Sequence, residues 1–257
     1  MRFIDTHTHI YLPEFDTDRD ETVRRASTNG INTMLMPNID MNSVRQLLEA
    51  ERRYSGTCIP MMGLHPTSVK EDYLYQLDFL EALFSEHNFI AVGEIGIDLF
   101  WDKTFLNEQI TAFKRQIAFA IEKTLPVVIH SRDAFPEVFA VLDEFRGEKL
   151  NGVLHAFTGG MGEAEKALSL GLFLGIGGIV TFKNSGLDKV VGVIGTESLI
   201  YETDSPYLAP VPYRGKRNES SYIPLINKKV AEILGKSETE TAATTYNNSL
   251  RLFNLQQ

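Results

Sequence analysis

The stretch Phe3-Ile4-Asp5-Thr6-His7-Thr8-His9 places two histidines, two residues apart, directly after an apolar run. Side chains on a β-strand alternate between its two faces, so His7 and His9 are expected to point the same way. Two imidazoles on one face are suited to holding a divalent metal ion. A His-x-His pair also occurs by chance, so the other histidines must decide its meaning.

Short apolar runs alternate with helical segments along the chain. In the clearest helix Leu106, Ile110, Phe113 and Ile117 recur at spacings of four, three and four, as one buried face requires. Runs typical of buried parallel strands begin near positions 3, 33, 58, 89, 126, 152, 172 and 198. Eight strands, each followed by a helix, predict an α/β fold, a (β/α)8 TIM barrel, and a doubly wound open sheet is the alternative.

The length of the chain suits a single barrel. No Gly/Ser/Pro-rich linker divides the 257 residues, so residues 1–257 are expected to form one barrel domain. A C-terminal helix is expected after Ser237, where a capping-box pattern precedes an apolar face, and it is expected to cover part of the outside of the barrel.

Composition limits the cellular setting. The single cysteine, Cys58, cannot support a disulfide framework within one chain. The chain contains no uninterrupted apolar stretch of about 18 residues that could span a bilayer. The first strand begins within two residues of Met1, which leaves no room for a secretion signal. These features predict a soluble, cytoplasmic protein.

The net charge is −9, from 34 acidic and 25 basic residues. Such a field opposes a broad electrostatic footprint on duplex nucleic acid. A polyanionic substrate would therefore need local basic groups and bound cations. A neutral or cationic small substrate is equally compatible with this charge.

Ionisable side chains recur where the expected strands end, and in a parallel barrel that is the rim at which catalytic groups gather. Each alone has an ordinary alternative role, as a core histidine, a helix cap or a turn residue. Together they predict a site for zinc, manganese or a related divalent ion. The six predicted ligands are His7, His9, Glu94, His130, His155 and Asp204.

Six short motifs follow one another along the chain: Asp5-Thr6-His7-Thr8-His9, Gly63-Leu64-His65-Pro66, Gly93-Glu94-Ile95-Gly96-Ile97-Asp98, Val128-Ile129-His130-Ser131-Arg132, His155-Ala156-Phe157-Thr158-Gly159 and Glu202-Thr203-Asp204-Ser205-Pro206-Tyr207. In this order they resemble the TatD-type metal-dependent deoxyribonucleases, part of the amidohydrolase-like group of metal-dependent barrels. The resemblance extends from the first strand to about Tyr222. It departs at Ala156, where the family often has cysteine, and at Leu99-Phe100-Trp101, which replaces a commoner tyrosine-containing run at the substrate cleft.

The resemblance implies a divalent-metal phosphodiesterase, usually a 3′-to-5′ exonuclease on single-stranded DNA and sometimes on RNA. It implies two divalent ions (Zn, Mn or Mg). One would be held by His7, His9, Glu94 and Asp204, and the second by Glu94, His130 and His155, with Glu94 bridging. Metal-activated water would attack the phosphodiester, and Asp204, together with the shared Glu94, is the expected catalytic carboxylate, with Asp204 taking the proton.

Substrate contacts are expected around this rim. His65 precedes Pro66 at the end of the third strand and is expected to contact the scissile phosphate, with a structural turn histidine as the alternative. Phosphate contacts are also expected from Arg214 and Arg217, in the basic loop after the eighth strand, and from Arg132 and Lys183 at neighbouring strand ends.

Aromatic side chains on rim loops are expected to stack unpaired bases, which would favour single strands over duplex. They are Phe100, Trp101, Tyr207 and Tyr213. Asp5 and Glu202 share strand parity with expected ligands. They are predicted either to fix an imidazole tautomer or to form a buried polar pair low in the barrel.

Two other functions stay open at this point. One is a metal-dependent hydrolase of an amide or ester bond in a small molecule or aminoacyl conjugate, because the same ions polarise carbonyl groups. The other is a barrel that binds metal or nucleic acid without catalysis. The expected partner is single-stranded nucleic acid as substrate, with no membrane and no obligate protein partner.

Overall fold

Strands and helices alternate along residues 1–256, the part of the chain that the computed structural model describes. The strands are β1 (Phe3–Asp5), β2 (Ile31–Met36), β3 (Cys58–Pro60), β4 (Val92–Asp98), β5 (Val127–Arg132), β6 (Gly152–Leu154), β7 (Leu172–Ile176) and β8 (Leu199–Tyr201). Every neighbouring pair is parallel, in two sheets ordered β1-β2-β3 and β4-β5-β6-β7-β8.

Backbone hydrogen bonds join the two sheets at both of their edges. Between β3 and β4, Ile90 N donates to Pro60 O at 3.1 Å and Gly93 N donates to Met62 O at 3.0 Å. Between β8 and β1, Thr6 N donates to Tyr201 O at 3.1 Å. The strands therefore form a ring, and the TIM barrel predicted from the sequence is confirmed.

The helices surround this ring. They are α1 (Arg19–Thr28), α2 (Val44–Arg53), α3 (Tyr73–Ala82), α4 (Leu106–Lys123), α5 (Phe135–Glu144), α6 (Met161–Ser169), α7 (Leu187–Ile194), α8 (Ile223–Leu234) and α9 (Glu238–Leu252). The predicted stripe on α4 buries Phe113 and Ile117. Ser237 caps α9 as its sequence indicates, because its side chain accepts a hydrogen bond from Glu240 N at 3.2 Å. The sequence did not locate α8. None of the helices in residues 1–256 is long and apolar enough to cross a membrane.

The inside of the barrel is filled by an apolar cluster that is distinct from the larger core between the strands and the helices. Its members come from the strands and the residues beside them. It is formed by Ile4, Leu35, Met61, Ala91, Val128, Val153 and Ile200. Leu252 and Phe253, at the end of α9, are buried against the same cluster. The C-terminal helix thus closes one end of the barrel as well as covering its outside, which the sequence did not predict.

Candidate active site

His7 and His9 lie in an extended segment that continues from β1. Thr8 forms an isolated parallel bridge with Ser205, and its backbone N–H donates to Leu35 O at 3.0 Å. The segment is therefore held between the ends of β2 and β8, and the two imidazoles turn to the same side. Their Nε2 atoms lie 3.3 Å apart.

Glu94 lies inside β4 rather than at its end, where the sequence placed it. The pairing of β4 with β5 shifts register between Gly93 and Ile95, so Glu94 has no partner in the ladder. An irregularity of this kind re-aims a side chain. The Glu94 carboxylate is 2% exposed and lies at the centre of the histidines.

The two oxygens of Glu94 face different histidines. Oε2 lies 3.2 Å from Nε2 of His7 and 3.7 Å from Nε2 of His9. Oε1 lies 2.8 Å from Nδ1 of His130 and 2.9 Å from Nε2 of His155. This is the position that a carboxylate shared by two cations would take.

Asp204 approaches the first histidine pair from the end of β8. Its backbone N–H donates to His7 O at 2.9 Å. Its Oδ1 lies 3.7 Å from Nε2 of His7 and 3.6 Å from Nε2 of His9. The structure therefore brings the six predicted ligands together. Three groups have ligand atoms within 4.8 Å of one another: His7, His9 and Glu94; His7, His155 and Asp204; and His65, Glu94 and His130.

A tyrosine fixes the orientation of His9. The Tyr11 hydroxyl donates to Pro37 O at 2.7 Å, and Nδ1 of His9 lies 3.0 Å from the same hydroxyl oxygen. Because that hydroxyl has only one proton, His9 must supply the proton of the second bond from Nδ1. Its Nε2 lone pair then faces Glu94 and Asp204.

His65 shows the opposite arrangement. The Thr67 backbone N–H donates to Nδ1 of His65 at 3.1 Å, so Nδ1 is an acceptor. The neutral ring therefore carries its proton on Nε2, which lies 3.3 Å from Oε1 of Glu94. Although His65 is close enough to join a ligand group, this bonding presents it as a hydrogen-bond donor.

Asp5 and Glu202 differ in what they contact. Asp5 is fully buried and accepts hydrogen bonds from Thr203 N at 3.0 Å and Thr203 Oγ1 at 2.6 Å, so it ties β1 to β8 rather than an imidazole to the site. Burial raises the pKa of Asp5 to about 7. Glu202 accepts a hydrogen bond from Ala156 N, and its Oε1 lies 3.3 Å from Nδ1 of His155.

Charge in the site is balanced between carboxylates and imidazoles. Burial raises the pKa of Glu94, but interactions with the surrounding imidazoles, of which His155 has the largest effect, outweigh burial and hold that pKa well below its usual range. Burial lowers the pKa of His155, and the charges of Glu94 and Glu202 outweigh that effect and raise it well above its ordinary value. Ionised carboxylates among buried imidazole nitrogens are a donor set that fits a divalent cation.

A cavity of about 820 Å³ opens above these groups. Phe100 and Trp101 form one side of it, with exposures of 51% and 70%, and Tyr207 lies among its other lining residues. The Arg132 guanidinium lies 3.8 Å from the centre of the Phe100 ring. The cavity therefore has a deep ionic floor and a rim of aromatic groups and one cation.

The other predicted phosphate contacts lie elsewhere. Both terminal guanidinium nitrogens of Arg217 donate to the Asp18 carboxylate at 2.7 Å, so this side chain forms a salt bridge with the segment before α1. Arg214 packs over Phe182, with 4.4 Å from guanidinium to ring centre. Neither Arg214 nor the exposed Lys183 is among the described residues that line the cavity.

Tyr213 also differs from its predicted role, because its ring stacks on another residue of the chain. The centres of the Tyr213 and Tyr222 rings are 4.4 Å apart and the rings are nearly parallel. By contrast, five of the predicted substrate-contacting residues line the cavity: His65, Arg132, Phe100, Trp101 and Tyr207.

Asp98 is a site residue to which the sequence analysis gave no role. It ends β4, is 2% exposed, and places Oδ2 at 2.9 Å from Nε2 of His130. Asp98 lies four positions after Glu94 on the same strand. Residues at even spacing on a strand share a face, so this spacing could have identified Asp98 as a site residue.

Comparisons with known proteins agree with this geometry. A family model described as TatD related DNase matches residues 4–254. The chain is 34% identical over 252 residues to the metal-dependent hydrolase YabD of Bacillus subtilis, with 98% of each chain covered. It is 36% identical over 256 residues to the 3′-5′ ssDNA/RNA exonuclease TatD of Cronobacter sakazakii, with 97% of each covered.

The fold is also shared with a solved structure. The crystal structure of YJJV, a TatD homologue from Escherichia coli, superposes with a TM-score of 0.92 at 28% identity and covers 99% of each chain. Because the family model matches nearly the whole length of the chain, the chain belongs to the TatD related DNase family of metal-dependent hydrolases.

Proposed function

We propose that the protein is a divalent-metal-dependent phosphodiesterase that removes nucleotides from the 3′ end of single-stranded DNA, with RNA as a second substrate. The observation that carries this proposal is the position of Glu94, whose two oxygens face separate histidine pairs below a cavity rimmed by aromatic rings and Arg132. The relatives named as 3′-5′ ssDNA/RNA exonucleases support the choice of substrate.

The proposed ligands are those that the sequence indicated. His7, His9, Glu94 and Asp204 would hold one ion, and Glu94, His130 and His155 would hold the second. Divalent ions bound there would lower the pKa of a water molecule and offset negative charge on the phosphodiester. The structure supports this division because the nitrogen atoms nearest to Oε1 and to Oε2 of Glu94 belong to different histidines.

Three side chains would act directly on the reactants. Asp204 borders the cavity with its side chain 16% exposed, and we assign it as the acceptor of the proton from the attacking water. His65 would donate its Nε2 proton in a hydrogen bond to a phosphoryl oxygen. Arg132 would hold a neighbouring phosphate from the rim, since a guanidinium pairs well with phosphate oxygens.

The rim favours unpaired bases. Phe100, Trp101 and Tyr207 present exposed rings, and base stacking on such rings contributes about 1 to 3 kcal/mol per base. A duplex end would have to unpair before its bases could reach these rings. We also propose that residues 1–257 act as one catalytic domain, because the ligands lie within β4 and β5 and in the segments that follow β1, β6 and β8.

The test is cleavage of an end-labelled single-stranded oligodeoxynucleotide by protein that has been stripped with a chelator and resupplied with magnesium, manganese or zinc. Glu94→Gln is compared with Glu49→Gln, a change of an exposed glutamate on α2. We expect a metal-restored ladder that shortens from the 3′ end in the wild type and in the Glu49 variant, and none in the Glu94 variant.

Two results would contradict the proposal. Cleavage that persists in Glu94→Gln would show that the activity does not belong to this site. Absence of cleavage with every metal, while elemental analysis shows that the wild type binds metal, would exclude a nuclease and favour hydrolysis of a carbonyl substrate.

A further inference from the structure

Asp98 divides its carboxylate between the candidate metal site and the cavity rim. Its Oδ2 lies 2.9 Å from Nε2 of His130. Its Oδ1 accepts hydrogen bonds from Phe100 N at 3.0 Å and Trp101 N at 3.2 Å. One buried group thus contacts both a proposed ligand and the backbone of the loop that carries the exposed rings.

The carboxylate is held in place from behind. The Gln109 side chain, itself buried on α4, accepts from Asp98 N at 2.8 Å and donates to Asp98 O at 3.2 Å. The next residue, Leu99, donates its backbone N–H to Arg132 O at 2.9 Å. Asp98 is therefore fixed at its backbone, and a change in its side-chain bonds would be felt mainly by His130 and the loop.

The bond to Asp98 also determines which nitrogen of His130 is available. Because the Asp98 carboxylate can only accept, Nε2–H must donate to it, and this leaves Nδ1, 2.8 Å from Oε1 of Glu94, as the nitrogen that a cation bound there would contact. A cation that withdraws electron density from Nδ1 makes Nε2–H a stronger donor to Asp98. A stronger bond at Oδ2 draws negative charge away from Oδ1, so the hydrogen bonds from Phe100 N and Trp101 N to Oδ1 become weaker.

We propose that Asp98 is a positioning residue that couples metal binding at His130 to the conformation of the Phe100–Trp101 loop. The inference rests on the proposed function only in treating His130 as a metal ligand. The positions of the ligands alone predict only that metal binds, whereas this coupling also predicts that metal binding changes the conformation of the loop at the cavity rim. By linkage, whatever binds the rim loop alters metal affinity by the same factor.

Trp101 is the only tryptophan in the chain, so its fluorescence reports this loop alone. Zinc is the suitable probe because a closed-shell ion has no redox or paramagnetic quenching of its own. The experiment titrates zinc into metal-free protein, measures affinity by competition with a chromophoric chelator, and records Trp101 emission and anisotropy at each point.

The variants are Asp98→Ala and Asp98→Asn, the second of which keeps the shape of the side chain. The matched control is Asp102→Ala. Asp102 belongs to the same loop but contacts Thr104 N at 2.8 Å and Lys70 at 3.0 Å. We expect the Asp98 variants to bind zinc about 10- to 100-fold more weakly, as loss of an outer-shell partner typically does, and to lose the Trp101 response. The Asp102 control should keep both.

The proposal is overturned if zinc leaves Trp101 emission unchanged in the wild type, or if both Asp98 variants bind zinc as tightly as the wild type. It is also overturned if Asp102→Ala weakens zinc binding to the same extent, because the effect would then be a general loosening of the loop. If Asp98→Ala fails to fold, Asp98→Asn decides. None of these readouts uses a nucleic acid, so a protein that binds zinc but cleaves no oligonucleotide would refute the nuclease and still decide the role of Asp98.

Discussion

The hydroxyl oxygen of Tyr11 lies 3.0 Å from Nδ1 of His9 and accepts a hydrogen bond from it, because the hydroxyl's own proton is donated to Pro37 O. A residue outside the ligand set therefore selects the tautomer of a proposed ligand. Such partners are generally needed for full metal affinity.

We expect Tyr11→Phe to weaken zinc or manganese binding by about 10-fold, since the ring of His9 loses the acceptor that orients it. The fold should persist because the phenyl ring fills the same buried space. The measurement is chelator competition on the metal-free protein, with circular dichroism as the check on folding. Equal affinities in the two proteins would mean that the strand alone orients His9.

His65→Gln should retain its metal and lose catalytic rate. The Thr67 N–H bond makes Nε2 of His65 a donor, so the residue is assigned to the phosphate rather than to the ions. We expect kcat to fall by about 10²-fold with unchanged metal content, the size typical of one electrostatic donor. A protein that loses metal in proportion to its activity would instead make His65 a ligand.

Arg132→Ala and Arg217→Ala should affect different properties. Arg132 lies over Phe100 at the cavity, so its loss should raise KM for a short oligonucleotide by about 5- to 10-fold. Arg217 is paired with Asp18, so its loss should lower the free energy of unfolding and leave KM nearly unchanged. Steady-state kinetics and urea unfolding of both variants distinguish the two roles, and a KM effect in Arg217→Ala would restore the prediction made from sequence.

The Asp18 salt bridge should give stability a specific dependence on pH. Hydrogen bonding to Arg217 lowers the pKa of Asp18 to about 2. Because the unfolded pKa is about 3.9, the contribution to stability is complete above about pH 5 and is lost as pH falls towards 2. The side chain is 32% exposed, so we expect Asp18→Asn to cost about 1 kcal/mol at pH 7, and about half as much at pH 3.

Urea unfolding at both pH values tests this, with Glu71→Gln as a control on an exposed glutamate. A difference between wild type and Asp18→Asn that stays the same from pH 7 to pH 3 would show that the carboxylate charge is not its source.

Local periodicity was enough to predict the barrel and the convergence of the six proposed ligands, since ends of parallel strands meet at one rim whatever the details of packing. Local periodicity did not give the position of Glu94 inside β4. That position depends on a shift in the register between β4 and β5, and the register of two strands cannot be read from the sequence of one of them. Arg217 is a similar case, because its salt bridge could not be predicted from the sequence. Its partner Asp18 is 199 positions away in the chain, so no local pattern could reveal that the charge is already matched.

The end of α9 was also outside the reach of a local pattern. An apolar stripe shows that a helix packs on something, but it does not show that Leu252 and Phe253 join the apolar cluster inside the barrel.

Because Leu252 and Phe253 close one end of the barrel, molecules cannot reach or leave the site through that end. The interior beneath the histidines is filled by seven apolar side chains and blocked below by Leu252 and Phe253. The cavity is consequently closed on the side of the barrel interior, and the exposed rings of Phe100 and Trp101 border its open side. A nucleic-acid strand bound as we propose could not pass through the barrel, so its cleaved fragment would have to leave on the side from which the strand entered.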